Sequence, residues 1–392
     1  MYEDLRKKVL EGLNESPDES ARKEFAEAAD KRAINEIEGK FMEAKTSKTE
    51  IAQDWKRYVK LWRGDQWGKN RAKHKARTVE NLIFSYTEAT LPLMTDRSPE
   101  ILVFGQTFED QEHAEKLNAV ISHRWNSDDM QEKIVEVLRD MLIIGTGIMK
   151  VYWDTEIYNG LGDVSCSTVD PFDVFPSPDS TEPKEMDWMI YRKRMSPKKI
   201  KRLYGKEVPS DKDYQDDQER NTQTRLYQSP RTNSATVLEY WYKDDDGQMK
   251  MIEISNGVIL KRYEDMERNE FPFVFFYNAK LKSEFWGIGE TKQLEPLQKE
   301  LNKTRSLIIE NMTKMGNQVW LVDKTAGLKR HLIENTPGLV LEKNPSGDVR
   351  RMDVPGLPSY IPNHVESIKK AAQDVSGSTD VSRGIISGSV TA

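Results

Sequence analysis

Cysteine and histidine are scarce in this sequence of 392 residues, which holds one cysteine, Cys166, and five histidines. A single cysteine excludes a disulfide within the chain and is typical of a reducing compartment. Its position in a strand-like pattern predicts an inert thiol. None of the histidines lies in an HExxH or a Cys/His spacing, so the sequence predicts no zinc site.

Long apolar runs and a basic excess are also missing. The longest strongly apolar stretches, MLIIGTGIM and FPFVFFYN, are well short of the roughly 20 residues that span a bilayer. The first residues lack the apolar core of a signal peptide. The net charge is −6, whereas proteins that bind nucleic acid through its phosphates usually carry a basic excess. We therefore expect a soluble protein made inside a cell, with no membrane partner.

Known catalytic motifs are absent as well. GTGIMK and GIGETK satisfy neither GxGxxG nor GxxxxGK[ST], and no GxSxG elbow occurs. Three acidic runs, at 126–130, 215–220 and 243–247, could bind Mg²⁺ in a nuclease, but they lie in turn-like contexts where carboxylates are simply solvated. We therefore predict no catalytic residue, no metal site and no cofactor, and we expect a protein that is not an enzyme.

What the sequence does contain is a set of helical patterns followed by β-like ones. Helical periodicity occurs in the first 60 residues, in EDQEHAEKLNAVISHRW and in DMQEKIVEVLRDMLIIG. Between the first 60 residues and EDQEHAEKLNAVISHRW, the stretch PEILVF is predicted as a short strand. From Gly145 onward, seven β-like segments alternate with turn signals such as Asn256-Gly257. FPFVFFYN is the last of these, and both of its sides are expected to be covered. Residues 1–280 thus predict an α+β body with a mostly antiparallel sheet and a mobile loop at about 206–233.

After the body come two amphipathic helices with an insert between them. The first helix is predicted to begin at about Glu295, because Pro296 is tolerated in a first turn. Its lysines lie opposite the apolar stripe, and 317–360 forms a compact insert. The stripes predicted to pack the two helices contain Leu294, Leu297, Leu301, Ile308 and Met312 in the first helix and Val365, Ile368 and Val375 in the second.

Basic and aromatic residues are interleaved from 55 to 77. Such a stretch could stack bases and bind phosphates, or it could form a protein interface, where Trp and Arg are favoured anchors. The negative net charge favours the interface, and the candidates are Trp55, Trp62, Arg63 and Trp67.

The order of these elements resembles the portal proteins, or head-to-tail connectors, of tailed bacteriophages, especially the short-tailed type. LWRGDQW followed by RTVENLI is similar to the N-terminal motif of that family, and GTGIMKVYWD with STVDPFDVFPSP resembles a wing strand leading into a Pro/Asp-rich turn. GIGETKQLEPLQKELNKTRSLIIEN resembles the first stem helix, with Gln298 and Asn302 at its polar positions. DVSGSTDVSRGIISGSVTA resembles the start of a loop that faces a channel.

The resemblance implies a division of the chain into five parts. These are a wing at 1–288, a first stem helix at 289–316, a clip at 317–360, a second stem helix at 361–376 and a channel loop at 377–392. Family members continue into a further helix and a crown, whereas this sequence ends at Ala392. Either the crown is absent or the sequence has been cut before it.

The resemblance also implies a ring of twelve subunits around a hole through which double-stranded DNA passes, without sequence-specific recognition. The channel-facing candidates are Lys299, Lys303, Lys314, Ser382 and Arg383. The candidates in the clip, where the large terminase subunit and later the tail adaptors dock, are Trp320, Arg350 and Arg351. Capsid and scaffolding proteins are further expected partners, and the expected location is the portal vertex of the virion after assembly in the host cytoplasm.

Three other interpretations remain open from the sequence. The chain could be another ring or tail adaptor of a virion, although the helix–insert–helix order argues against it. It could be a metal-dependent nuclease or motor subunit that uses acidic residues such as Asp244 and Asp245. Finally, 290–376 could be a helical hairpin within a monomer.

Overall fold

The computed structural model of the chain describes residues 19–68, 72, 75–96, 99, 101–107, 109–211, 234–264, 266, 269–316, 320–327, 344–351, 358 and 360–377. This part of the chain contains eight α-helices. They are α1 Glu19–Ser47, α2 Thr49–Trp62, α3 Leu82–Thr95, α4 Gln111–Ser127, α5 Met130–Ile144, α6 Pro197–Tyr204, α7 Glu290–Gly316 and α8 Tyr360–Ser376.

The described residues also contain ten β-strands in three sheets, and every neighbouring pair of these strands is antiparallel. The sheets have the orders β2-β1-β8, β3-β4-β5-β6-β7 and β10-β9. The strands are β1 Thr146–Asp154, β2 Asp163–Val169, β3 Val174–Pro176, β4 Trp188–Met195, β5 Ala235–Lys243, β6 Met249–Ser255, β7 Val258–Tyr263, β8 Phe273–Tyr277, β9 Trp320–Val322 and β10 Val349–Arg351. The predicted α+β class is confirmed.

Local chemistry explains several of the boundaries. Asn81 caps α3 by accepting a hydrogen bond from the Phe84 N–H at 3.2 Å. Gly145 ends α5 with a φ of +98°, a conformation that favours glycine. Asn256 and Gly257 both have positive φ, as a two-residue hairpin turn between β6 and β7 requires.

The five-stranded sheet buries both of its faces, because side chains alternate along each strand. On one face, Ile190 and Ile252 pack against Ile37 of α1. On the other face, Met189 and Trp241 belong to the main core, which also contains residues of α2, α5, β1 and the first turns of α7. The stem-like helix α7 is therefore attached to the centre of the body.

A buried ion network connects the two larger sheets. The Lys150 ammonium of β1 lies 2.5 Å from a carboxylate oxygen of Glu239 of β5, and Glu239 also pairs with Lys193 of β4. Burial lowers the pKa of Lys150 below its ordinary value despite the neighbouring carboxylate. Four rings lie 5.2–5.9 Å from this ammonium, and they belong to Tyr152, Tyr191, Trp241 and Phe273. Because a buried charge without its partner is costly, the network specifies how the two sheets face each other.

The structure corrects two predictions about strands. Ile101–Gly105 forms no strand; instead, the side-chain amide of Asn118 binds the Val103 N–H at 2.7 Å and its carbonyl at 3.0 Å, which substitutes for a neighbouring strand. Val274 was expected to be covered, yet it is 46% exposed. Only one side of β8 faces the main core, where Phe273 is buried.

The predicted start of the first amphipathic helix is also wrong. α7 begins at Glu290, so Pro296 lies inside it rather than in its first turn. Thr291, Leu294 and Glu295 are buried, and this packing against the body outweighs the hydrogen bond that proline cannot donate.

Replacing Asp140 of α5 should change how stability depends on pH. Burial raises the pKa of the Asp140 carboxyl to about 8, and the carboxylates of Asp170 and Glu136 oppose its ionisation further, with Arg139 acting the other way. Between about pH 4 and pH 8 the folded chain therefore keeps a proton that the unfolded chain releases, so stability falls as the pH rises.

Asp140→Asn should remove this slope and stabilise the protein at pH 8 by up to a few kcal/mol, since one pKa unit corresponds to about 1.4 kcal/mol. Urea unfolding at pH 5 and at pH 8 measures the effect. The exposed Asp179→Asn serves as the control. Parallel pH profiles for the parent chain and Asp140→Asn would contradict the assignment.

Candidate functional site

The two amphipathic helices pack against each other in an antiparallel pair. Leu301 of α7 is fully buried against Val365 and Ile368 of α8, with Leu297 and Ile308 at the edges of the same cluster. Nearer the body, Leu294 and Ala372 both belong to the main core. Of the eight side chains in the predicted stripes, five lie at the α7–α8 contact within one subunit, and Leu294 lies in the main core.

The two remaining members of that prediction are exposed. Met312 is 61% exposed and Val375 is 52% exposed. Ile309 and Met315 extend the same exposed apolar surface along the last turns of α7. We call the set Ile309, Met312 and Met315 the apolar end of α7. Such a contiguous apolar surface typically marks a contact with another molecule.

The lysines of α7 occupy a different side of the helix. At about 100° per residue, Lys299, Lys303 and Lys314 lie within an arc of roughly 60°, on the side facing away from α8. All three are exposed, and we call them the lysine face. Lys299 pairs with Glu295 one turn earlier at 2.6 Å. Ser382 and Arg383, the other channel-facing candidates, lie outside the described residues.

Beyond α7 lies the small ribbon formed by β9 and β10. Trp320 and Arg351 are partners in its register, as are Leu321 and Arg350. Arg350 is exposed, and so is Leu321. The close approach of Gly347 to Ala326 holds the end of the ribbon, where a Cβ on the glycine would lie 2.3 Å from the alanine Cα.

The aromatic residues predicted as interface anchors mostly have partners within the subunit. Trp55 is 1% exposed in the main core, so its side chain is not available to a neighbouring molecule. Trp62 packs against Phe84 with ring centres 5.4 Å apart, and the Trp67 indole donates to the Thr78 carbonyl at 3.0 Å. Arg63 is exposed at the end of α2. The interface prediction therefore remains for Trp62, Arg63 and Trp67.

A contact between Gly145 and Gly287 determines where α7 leaves the body, and neither the phosphate-loop comparison nor the family resemblance predicted it from the sequence. A Cβ on Gly287 would lie 2.2 Å from the Gly145 carbonyl oxygen, and a Cβ on Gly145 would lie 2.2 Å from that of Gly287. Thr146 strengthens the contact by accepting a hydrogen bond from the Gly287 N–H at 2.9 Å. The GTG and GIG segments thus pack backbone against backbone immediately before α7.

A second feature is a polar row on α7, whose burial the sequence did not predict although the resemblance gave Gln298 and Asn302 as polar positions. Gln298, Asn302 and Ser306 are all buried, and they face the segment 76–82. Their spacing of four residues is a signal in the sequence, but a solvent-exposed row would have the same spacing. Only the packing distinguishes the two cases.

The same segment carries a carboxylate that contacts both helices. Glu80 pairs with Arg305 of α7 and, at 3.0 Å, with Lys369 of α8. Partial burial alone would raise the pKa of the Glu80 carboxyl, but hydrogen bonds from Lys369 and Arg305 hold it below its ordinary value. The carboxylate thus remains charged at neutral pH and cross-links α7, α8 and the segment before α3.

The acidic runs considered for a metal site have structural partners. Asp128 accepts from the Cys166 N–H at 2.7 Å and pairs with Lys133 at 2.9 Å, and Asp244 accepts from the Gln248 N–H at 2.7 Å within its turn. The run at 215–220 lies outside the described residues. In the part of the chain that the structure describes, no three His, Cys, Asp or Glu side chains are grouped as metal ligands. Among the same residues, no helix has the length and apolar character needed to cross a membrane.

Comparison with known protein families gives two matches. The family of P22-like phage portal proteins matches residues 38–251. The family of SU10 phage portal proteins matches residues 161–391. Each match covers more than half of the chain, and together they include every helix from α2 to α8. No curated protein matches the chain.

Two alanine substitutions on α7 should have very different effects on the subunit. Leu301→Ala removes a fully buried side chain and should destabilise the fold by about 2–5 kcal/mol. Met312→Ala changes an exposed side chain and should change stability by less than about 0.5 kcal/mol. Chemical unfolding under conditions that keep the chain dissociated measures both. Equal effects would contradict the assignment of the α7–α8 contact.

Proposed function

The chain belongs to the phage portal proteins, and we propose that copies of it form a ring-shaped channel at one capsid vertex, through which double-stranded DNA is packaged and ejected. Portal proteins are virion components of the capsid vertex and act in DNA packaging. One observation on this chain supports the proposed assembly. It is the apolar end of α7, which the single subunit leaves exposed although it continues the stripe that packs against α8.

A ring provides a cover for this surface. In a cyclic assembly each subunit offers the same two faces, so one face of each copy meets the other face of its neighbour. The apolar end of α7, with Val375 of α8, would then be buried between adjacent subunits. We propose twelve subunits, with α7 and α8 as stem helices, the residues before them as the wing, and the clip between them.

The charges of α7 suit a channel through which DNA slides. Each phosphate that Lys or Arg neutralises adds a salt-sensitive contact that must break before the duplex advances. The net charge of −6 and the sparse lysine face would keep the duplex centred without gripping it. We propose that Lys299, Lys303 and Lys314 face this channel, together with Ser382 and Arg383 of the channel loop.

The ribbon formed by β9 and β10 lies at the end of α7 away from the body and presents Leu321 and Arg350 to solvent. An exposed arginine beside apolar residues is a favoured anchor in protein interfaces. We propose that this clip, with Trp320, Arg350 and Arg351, receives the large terminase subunit during packaging and the tail adaptors afterwards. The wing would contact the capsid and the scaffolding proteins.

Mass measurement and electron microscopy of the purified chain test the assembly. We expect closed rings of about twelve copies, the number the family resemblance implies, because an isolated subunit leaves the apolar end of α7 in water. A stable monomer, with this surface covered by its own chain, would overturn the proposal.

Met312→Asp should prevent ring formation while leaving the subunit folded. A carboxylate at the centre of an apolar contact loses its hydration without gaining a partner, whereas the same side chain in the free subunit is exposed. Gln293→Asp, at an exposed position outside the stripe, is the matched control and should assemble normally. Rings formed equally by both variants would contradict the proposed contact.

Replacing Lys299, Lys303 and Lys314 together by alanine should leave the ring intact and weaken its salt-dependent association with DNA. Each phosphate contact contributes about 0.9 to the slope of log K against log salt concentration, so the slope should fall. A triple alanine variant of the exposed Lys198, Lys199 and Lys282 is the control. An unchanged slope, or a ring map in which the three side chains point away from the axis, would rule out the assignment.

A further inference from the structure

The buried polar row of α7 meets a backbone rather than another row of side chains. In the segment 76–82, which we call the strap, alternate N–H groups donate to four α7 side chains that lie one turn apart. The pairs are Leu82 to Gln298 at 2.8 Å, Glu80 to Asn302 at 3.2 Å, Thr78 to Ser306 at 3.2 Å and Ala76 to Glu310 at 3.1 Å.

The spacing of these bonds follows from the geometry of the two elements. Two residues of extended chain advance by about 6.6–6.8 Å, and four residues of α-helix rise by about 6 Å. From Ala76 to Glu80, every second N–H of the strap therefore stays in step with every fourth residue of α7. At Asn81, with φ −81° and ψ 84°, the strap turns, and the Leu82 N–H donates to the Glu80 carbonyl at 3.0 Å as well as to Gln298. The strap runs antiparallel to the helix, because its numbering rises as that of the helix falls.

Further bonds hold the strap in this register. The Gln298 amide donates to the Glu80 carbonyl at 2.7 Å and to Asn302 at 3.1 Å. Asn302 in turn donates to Gln66, which also binds the Leu61 carbonyl at the end of α2. A rotation of α7 by one residue would turn its acceptors by about 100° and leave buried groups unpaired, each at a cost of about 1–3 kcal/mol.

We propose that the strap sets the axial position and the rotation of α7, and that Gln298, Asn302, Ser306 and Glu310 are positioning residues for the lysine face and the apolar end. The strap continues directly into α3, and Glu80 also pairs with Lys369 of α8. These contacts tie α3, α7 and α8 to one another. All of these contacts lie within a single subunit and do not depend on the proposed ring.

Amide hydrogen exchange with residue-level resolution tests the register without any substitution. The N–H groups of Thr78 and Glu80 should exchange slowly, whereas that of Val79, which has no partner among the described residues, should exchange at least tenfold faster. Such alternation is unexpected for a segment outside any sheet. Uniform exchange across these three positions would overturn the proposal.

Two proline substitutions separate a positioning role from general packing. Thr78→Pro removes an N–H that binds α7, and Val79→Pro removes one that does not; extended backbone accommodates proline at either position. Spin labels at Lys303→Cys on α7 and Lys198→Cys on α6, with Cys166→Ser to remove the native thiol, report the position of the helix. Labelled subunits are diluted with unlabelled ones, so that only distances within a subunit are measured.

The distance distribution should broaden or shift in Thr78→Pro and stay unchanged in Val79→Pro. Asn302→Asp, which keeps the acceptor, should resemble the parent chain more closely than Asn302→Leu, which removes it. Equal effects of the two prolines, or no effect of either, would overturn the proposal. If Thr78→Pro fails to fold, the exchange pattern of the parent chain and the Asn302 pair still decide.

Discussion

Four hydrogen bonds join the two functional halves of the subunit, three from the backbone of the strap to the buried polar row of α7 and one to Glu310. On one side of this contact are the sheets and helices of the body, and on the other are the lysine face, the apolar end of α7 and the ribbon. The glycine contact at Gly145 and Gly287 determines where α7 begins. The strap determines in which direction α7 points and which side it turns outward. The orientation of every proposed channel and interface residue on this helix depends on these two constraints.

The high charge content of the chain has a structural explanation in these contacts. Lys150, Glu239 and Lys193 lie between the two larger sheets, and Glu80 lies between the strap and both stem-like helices. Apolar packing tolerates small rotations, but a buried ion pair or hydrogen-bond row has only one satisfied geometry. In the proposed ring, where copies must match one another, that restriction is an advantage. Part of the 32% of charged residues thus specifies geometry rather than only solvating the surface.

The sequence predicted the helices and strands well where periodicity and turn residues agree. It predicted them poorly where the structure of a segment depends on which other segment packs beside it. The seven β-like segments after Gly145 correspond to strands because alternation and turn residues are both local. PEILVF has the composition of a strand, yet among the described residues no strand lies beside it, and Asn118 binds the N–H and carbonyl of Val103 instead. Pro296 predicted a later helix start, but burial of Thr291 and Leu294 extends α7 toward the body. The contacts of the strap are between residues more than 200 positions apart, so no local pattern could reveal them.

α7 is long enough for its contacts within the subunit and its exposed apolar surface to lie on different parts of the helix. From Glu290 to Ile308 the helix is held by the main core, by α8 and by the strap, and its buried side chains belong to the single subunit. From Ile309 to Met315 its apolar side chains are exposed. The first part can keep the subunit folded before assembly, while the apolar side chains of the second contribute only once another molecule covers them. Because the two parts share one continuous helix whose rotation the strap sets, a folded subunit already presents its apolar end in the orientation that the proposed assembly requires. The conformational entropy of fixing that orientation is lost during folding rather than during association. More of the free energy of the contact is therefore available for association.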